Sequence, residues 1–421
     1  MRFETLADWL AWQEGLHPRA IDMGLDRVSR VFARMGRGGQ LPFTLTVGGT
    51  NGKGSCVALL DSILRAQGYR VGTYTSPHIL NYNERIRVDG EPVSDARICQ
   101  AFESIEAARG DISLSFFEFG TLAALDIFAD ANLDVQVLEV GLGGRLDAVN
   151  IVDADAALLV SIDIDHQDWL GHTREAIGLE KAGIFRPGRP AVIGDPDVPV
   201  PVLQYAESQG IALKRLGYDF RYAPPTADGW DWESRGARLT GLPRPAIPGE
   251  HQLMNAAAVL ELLHQVAASR PVSPEAIRAG LNGVKLTGRF QVFPGEVPEL
   301  LDVAHNPQAV RMLAQHVRRE FAGRRVHAVF AVMRDKDIPG IVSGIRDVVD
   351  AWYLAPLTIA RAATPAELLN VFRAEGVAGV HHGFADLREA LARVRHAAQP
   401  GDLILVFGTF FLVSEYLAHA T

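Results

Sequence analysis

Cysteine is almost missing: Cys56 and Cys99 are the only two in 421 residues. Two thiols exclude a disulfide framework and a zinc site built on paired Cys-x-x-Cys spacings, and they read as small interior fillers. Basic charge is also in short supply, with 41 Lys and Arg against 50 Asp and Glu and a net charge of −9. A nucleic-acid backbone needs a basic stripe, so no nucleic-acid partner is expected. Small anions would have to be met by individually placed Lys and Arg. The opening stretch Met1-Arg2-Phe3-Glu4-Thr5-Leu6-Ala7-Asp8-Trp9 lacks the basic-then-apolar order of an export signal. The longest apolar run, Leu403 to Val413, is broken by Gly408 and Thr409 and too short for a bilayer. A cytoplasmic protein without a membrane partner is expected. With no coiled-coil pattern and no obvious dimer stripe, a monomer is expected as well.

What the chain does have is one organising stretch, Leu45-Thr46-Val47-Gly48-Gly49-Thr50-Asn51-Gly52-Lys53-Gly54-Ser55-Cys56-Val57. The run Leu45 to Val47 predicts a buried strand, and Val57, Leu60, Ile63 and Leu64 recur at helical spacing. Glycines between a strand and a helix let successive N–H groups face one hollow. The helix dipole favours negative charge there, and Lys53 adds a full positive charge. A polyphosphate is the natural guest, held by Gly49, Thr50, Asn51, Gly52, Lys53, Gly54 and Ser55. The loop departs from the common phosphate-loop pattern: Val47 stands where its first Gly belongs, and Gly54 displaces the hydroxyl residue to Ser55.

Three further strands end in polar loops. Val71 to Thr75 leads into Ser76-Pro77-His78, where Pro77 stops the strand and leaves a hydroxyl and an imidazole on the loop. Leu133 to Val140 delivers Glu139 to the exit of an apolar run, the usual place for an acid that holds Mg²⁺ beside a phosphate loop. Ala156 to Ile162 runs into Asp163-Ile164-Asp165-His166, and neutral imidazole is an acceptable ligand for a divalent ion. In an open parallel sheet the ligand crevice lies outside the strands' carboxyl ends, so four chemical loops at that address predict one α/β site.

Downstream, His251 opens a long helix with Asn255 in its first turns, and an asparagine amide can pair with an adenine edge. The aromatic-rich segments Tyr218–Tyr222 and Trp230–Trp232 read as edge hairpins, more a matter of packing than of cofactor contact. Residues 1–292 are expected to form the nucleotide-binding domain, 293–299 a linker, and 300–421 a smaller Rossmann-like α/β domain. In that domain Asn306 and Pro307 start a helix after Asp302 and His305, and Thr364-Pro365-Ala366-Glu367 is a capping box.

These motifs, in this order over nearly the whole chain, resemble the folylpolyglutamate synthase and dihydrofolate synthase branch of the Mur ligase superfamily. The segments that carry it are Gly-Thr-Asn-Gly-Lys-Gly-Ser, Ser76-Pro77-His78, Glu139 through Asp147, Asp165-His166-Gln167-Asp168-Trp169-Leu170-Gly171, Glu180-Lys181-Ala182-Gly183, His251-Gln252 with Asn255, Gly288-Arg289-Phe290, Asp302 to Pro307, and Asp335-Lys336-Asp337. Gly408-Thr409 departs from the usual Gly-Ser. The resemblance implies a P-loop ATPase domain with a mainly parallel sheet and a C-terminal ligase domain. It also implies ATP and Mg²⁺ as cofactors, with a second ion and a monovalent cation left open.

The same resemblance implies Ser76, Glu139 and His166 as metal ligands and Asp147 as a pterin contact. A helix over Ile21 to Val28 would lie beside that pocket. Lys181 would be a carbamylated lysine, Arg289 a phosphate contact, and Asp302 and His305 members of the nucleotide and catalytic set. The implied reaction joins L-glutamate to dihydropteroate or to reduced folates. Two readings stand beside it: a Mur-type peptidoglycan ligase, which would need more than the forty or so residues ahead of the phosphate loop for a UDP-sugar domain, and a nucleotide-binding regulator without ligase chemistry.

Overall fold

The computed structural model describes residues 2–19, 21–226 and 229–420, and element counts refer to these. The chain forms two compact units, Met1–Ala246 with Leu253–Val284, and Ile247–Gln252 with Lys285–Thr421.

In the first unit the strands are β1 (Phe43–Gly48), β2 (Val71–Tyr74), β3 (Ile86–Val88), β4 (Glu91–Pro92), β5 (Val135–Glu139), β6 (Ala156–Leu159), β7 (Pro190–Ile193) and β8 (Ala212–Arg215). They pair in the order β4-β3-β2-β5-β1-β6-β7-β8. Six are parallel, and β3 and β4 fold back antiparallel at one edge. Parallel strands are buried on both faces, and β1, β5 and β6 are buried almost throughout; the polar side chains this encloses are paired, as where Gln136 Nε2 donates to the Thr44 hydroxyl at 2.8 Å. The register sets Val47 opposite Glu139, Gly48 opposite Leu159, and Tyr74 opposite Leu138. The carboxyl ends of β2, β5, β1 and β6 are therefore level neighbours, and the four polar loops emerge side by side.

A small antiparallel sheet of β9 (Phe220–Tyr222), β10 (Trp230–Ser234) and β11 (Ala237–Leu242) buries Trp230 and Trp232, so these aromatics serve packing. The helix expected over Ile21 to Val28 starts only at Asp26 and runs to Met35. Gly24 has φ 158°, and its N–H is donated to the carbonyl of Leu146, so the preceding residues lie along the Gly143–Leu146 loop instead of coiling.

Helix Lys53–Ala66 crosses helix Pro274–Gly283 at Gly280, where an added Cβ would stand 2.5 Å from Ile63 Cα. Alanine would gain about 1 kcal/mol of helix propensity. Forcing two backbones apart costs about 1–3 kcal/mol. Gly280→Ala is therefore expected to lower the thermal midpoint, and a rise in a melting experiment would contradict this.

The second unit contains β12 (Gln291–Phe293), β13 (Glu299–Asp302), β14 (Val326–Phe330), β15 (Ala351–Leu354), β16 (Val380–His381) and β17 (Leu403–Phe407). Their order is β12-β13-β17-β14-β15-β16, parallel except for β12. Residues 293–299, read from sequence as a linker, connect β12 to β13 within this unit, whose main segment has already begun at Lys285. Asn306 caps its helix by accepting the Ala309 N–H at 3.0 Å, and Thr364 and Glu367 form the reciprocal box.

Candidate functional site

The phosphate loop leaves β1 through Gly49 and Gly52, both at positive φ (150° and 83°), and the helix begins at Lys53. A Cβ on Gly52 would stand 2.8 Å from Val160 Cγ1 and 2.9 Å from Asn255 Oδ1, so only glycine fits. Two staples hold the loop against the exit of β6. The Thr50 hydroxyl donates to the Asp163 carbonyl (3.1 Å) and accepts the Asp163 N–H (3.0 Å). The Ser161 hydroxyl accepts the Asn51 N–H (2.9 Å) and donates to the Asn51 carbonyl (3.0 Å). Lys53 Nζ donates to the carbonyls of Gly49 (3.0 Å) and Thr50 (3.2 Å), which keeps its charge at the loop's mouth. Ser55 is buried at the helix start.

Glu139 is buried at the end of β5, and its Oε2 accepts the Ser76 N–H at 3.3 Å, so these two predicted metal ligands are brought together. His166 follows β6, on the far side of the phosphate loop from Glu139 in strand order. Its backbone is left-handed (φ 52°), an uncommon state for a side chain of this size. Among the described residues no three His, Cys, Asp or Glu are grouped as a ready-made metal cage. Magnesium keeps several waters and is bound through one or two carboxylates together with phosphate oxygens. A buried carboxylate beside a hydroxyl residue and a phosphate loop therefore fits the implied ion.

Asp147 is buried inside its own loop. One oxygen accepts the Leu142 N–H (2.8 Å), the other the Val149 N–H (3.0 Å), and burial pushes its pKa up to about 7. Lys181 is buried as well, and Glu180, its sequence neighbour, pairs instead with Arg145 at 3.0 Å. Lys181 Nζ donates to the Gly49 carbonyl at 3.2 Å, the same oxygen that Lys53 contacts. Burial first, and the Lys53 charge second, bring the Lys181 pKa down to about 7. Asn255 is buried on helix His251–Gln265, and its amide faces Gly52.

The remaining predicted residues belong to the second unit. Asp302, at the end of β13, accepts the N–H groups of Phe290 (3.0 Å) and Ala304 (2.8 Å). Burial pushes its pKa up to about 6, with the Arg289 charge opposing. Arg289 lies 4.9 Å over the Phe410 ring. His305 Nδ1 is 2.8 Å from the Val303 carbonyl, which can only accept, so Nδ1 carries the proton.

A sequence signature described as the glutamate ligase domain of Mur ligases matches residues 288–410. The dihydrofolate synthase/folylpolyglutamate synthase of Escherichia coli (strain K12) is 44% identical over 412 residues, covering 98% of this chain and 94% of that protein. The chain belongs to this dihydrofolate synthase/folylpolyglutamate synthase family. A solved structure of E. coli FolC in complex with DHPP and ADP is similar with a TM-score of 0.93 at 43% identity, covering 99% of this chain and 98% of that one. A bifunctional folylpolyglutamate synthase/dihydrofolate synthase with Mn, AMPPNP and L-glutamate bound gives 0.91 at 44% identity, with the same coverage.

As a dihydrofolate synthase/folylpolyglutamate synthase family member, the chain has site residues that pattern reading overlooked. Ser161 and Asp163 hold the phosphate loop, and Asp195 with Arg174 fixes the next residue. The Asp195 carboxylate accepts the Ile162 N–H at 2.7 Å, and Arg174 Nε donates to the Ile162 carbonyl at 2.9 Å. Ser161 and Asp163 lie just ahead of the Asp165-His166 motif, so proximity to it was the available signal.

Proposed function

We propose that this chain joins L-glutamate to dihydropteroate and to reduced folates through an acyl phosphate, as a monomer in the cytoplasm. Both cysteines are free and buried, as a reducing compartment permits, and no described helix is long and apolar enough to cross a membrane. The observation that carries the reading is convergence within the first unit: Lys53 and Lys181 meet one carbonyl of the phosphate loop, while Ser76 and Glu139 meet each other on neighbouring strands. The full-length likeness to a dihydrofolate synthase/folylpolyglutamate synthase supports the substrate class.

Within the first unit ATP is taken with its phosphates on Gly49 to Ser55 and with Asn255 toward the adenine; in the second unit the family resemblance assigns nucleotide contacts to Arg289 and Asp302. The substrate carboxylate attacks the γ-phosphorus, ADP departs, and the glutamate amine then attacks the acyl carbon and expels phosphate. Lys53 and the loop's N–H groups stabilise charge on the transferring phosphoryl. Mg²⁺, held through Ser76, Glu139 and His166, would supply further charge neutralisation there. Asp147 orders the loop that faces the pterin, and Lys181 serves as its carbamate. His305, with its proton fixed on Nδ1, acts toward the incoming amine.

The test is product analysis. With Mg-ATP, dihydropteroate and glutamate, ADP release is expected only when both partners are present, together with a product heavier by one glutamyl residue. ATP turnover indifferent to both would favour the nucleotide-binding regulator.

A further inference from the structure

Arg85 precedes β3, and its carbonyl accepts the Thr75 N–H at 2.8 Å, which sets it opposite the residue just before Ser76. It is 9% exposed. Its guanidinium lies over the rings of Tyr82 (5.4 Å) and Phe116 (5.5 Å), and its Nε donates to His78 Nδ1 at 2.8 Å. A guanidinium can only donate, so His78 Nδ1 accepts and carries no proton, and the ring stands there as a neutral acceptor. Among the described residues no carboxylate lies within ion-pair reach of Arg85, and only its Nε makes a side-chain hydrogen bond. The adjacent acid is already committed: Glu84 accepts the N–H groups of Ile79, Leu80 and Asn81.

The energetics of this cation do not balance within the protein. Ring contacts offset only part of the cost of withdrawing a charge from water when no opposite charge meets it. Two aromatic walls and a neutral imidazole fix the direction of the guanidinium without neutralising it. That is the environment of a cation kept for an incoming anion, and Arg offers a planar fork that matches a carboxylate. It stands at the strand edge that carries Ser76 and Glu139, where the proposed reaction needs an acid held still against a phosphoryl group.

We propose that Arg85 is a substrate-positioning residue that binds the reacting carboxylate of the acid substrate. The assignment rests on the ligase reading above and deepens it. A structural role, with Arg85 merely packing Tyr82 and Phe116, makes a different forecast.

The test is calorimetric titration of the full-length protein, with Mg-ADP present, using dihydropteroate and its carboxamide analogue. The parent should bind the acid about 30-fold more tightly than the amide, the size of a charge-assisted hydrogen-bond pair. Arg85→Gln should lose about that factor for the acid and leave the amide within about twofold. Arg85→Lys, which keeps the charge without the fork, should lose less. Equal weakening of acid and amide by Arg85→Gln, or acid binding at parent strength, overturns the proposal. Should Arg85→Gln fail to fold, shown by lost Mg-ADP binding, Arg85→Lys decides: an acid-selective loss supports the proposal and parent-like selectivity overturns it. A parent that binds Mg-ADP but neither pteroate ligand overturns the ligase reading, and this assignment with it.

Discussion

Lys53→Met is expected to lower kcat by about 10³-fold, the cost of removing a fixed charge from the transition state of phosphoryl transfer. The Lys53 ammonium donates to the carbonyls of Gly49 and Thr50, neutral acceptors that a phosphate oxygen outcompetes by carrying charge. The loop keeps its shape through Thr50, Asn51, Ser161 and Asp163, none of which changes. The melting temperature should therefore stay close to the parent value while steady-state turnover collapses. A variant within tenfold of parental kcat would show that Lys53 is not the group that meets the phosphoryl.

The second large effect concerns Lys181. The carbamate proposed there requires a neutral amine to capture CO₂, losing a proton as the N–C bond forms to give the anion. With a pKa of about 7 the amine form dominates at pH 8 and the ammonium at pH 6. Activity measured in CO₂-depleted buffer should therefore fall and be restored by bicarbonate at pH 8, with weak restoration at pH 6. Lys181→Met should lose about 10²–10³-fold in kcat, again by removing charge from the site, and bicarbonate should not restore it.

The linkage sign separates this loss from unfolding. A lysine whose folded pKa lies below its unfolded value near 10.5 withholds protonation from the folded state, so it costs stability progressively as pH falls from about 10.5 to about 7. In CO₂-depleted buffer at pH 7, Lys181→Met should melt no lower than the parent. A parent-like rate in that variant would remove the carbamate from the mechanism.

The four loops are readable because each follows a short segment rich in β-branched and apolar residues that gives way to glycine, proline or acidic residues, and parallel strands advertise themselves in this way. Their adjacency was not readable. The order β2-β5-β1-β6 depends on crossovers, and only the pairing of Val47 with Glu139 and Tyr74 with Leu138 shows that the ends are level. The helix that the resemblance implies over Ile21 to Val28 begins only at Asp26, because the Gly24 N–H is donated to Leu146, a partner 122 positions away in sequence. Residues 293–299 resembled a linker because Pro and Gly are common in linkers and hairpin turns alike. Arg85 gave no signal, since an arginine after a glutamate suggests an ion pair, and Glu84 proves to be occupied by backbone donors. Lys181 was found through the resemblance alone; what the structure adds is its burial against the phosphate loop.

The paired exchanges of Thr50 with Asp163 and of Asn51 with Ser161 fasten two stretches more than a hundred positions apart into one leaf. One stretch carries the proposed phosphate contacts and the other leads to the imidazole of His166, proposed for the ion. Neither can be reshaped alone, so on this proposal variation that retunes the hold on an ion must also retune the hold on a nucleotide, and the two affinities are inherited together.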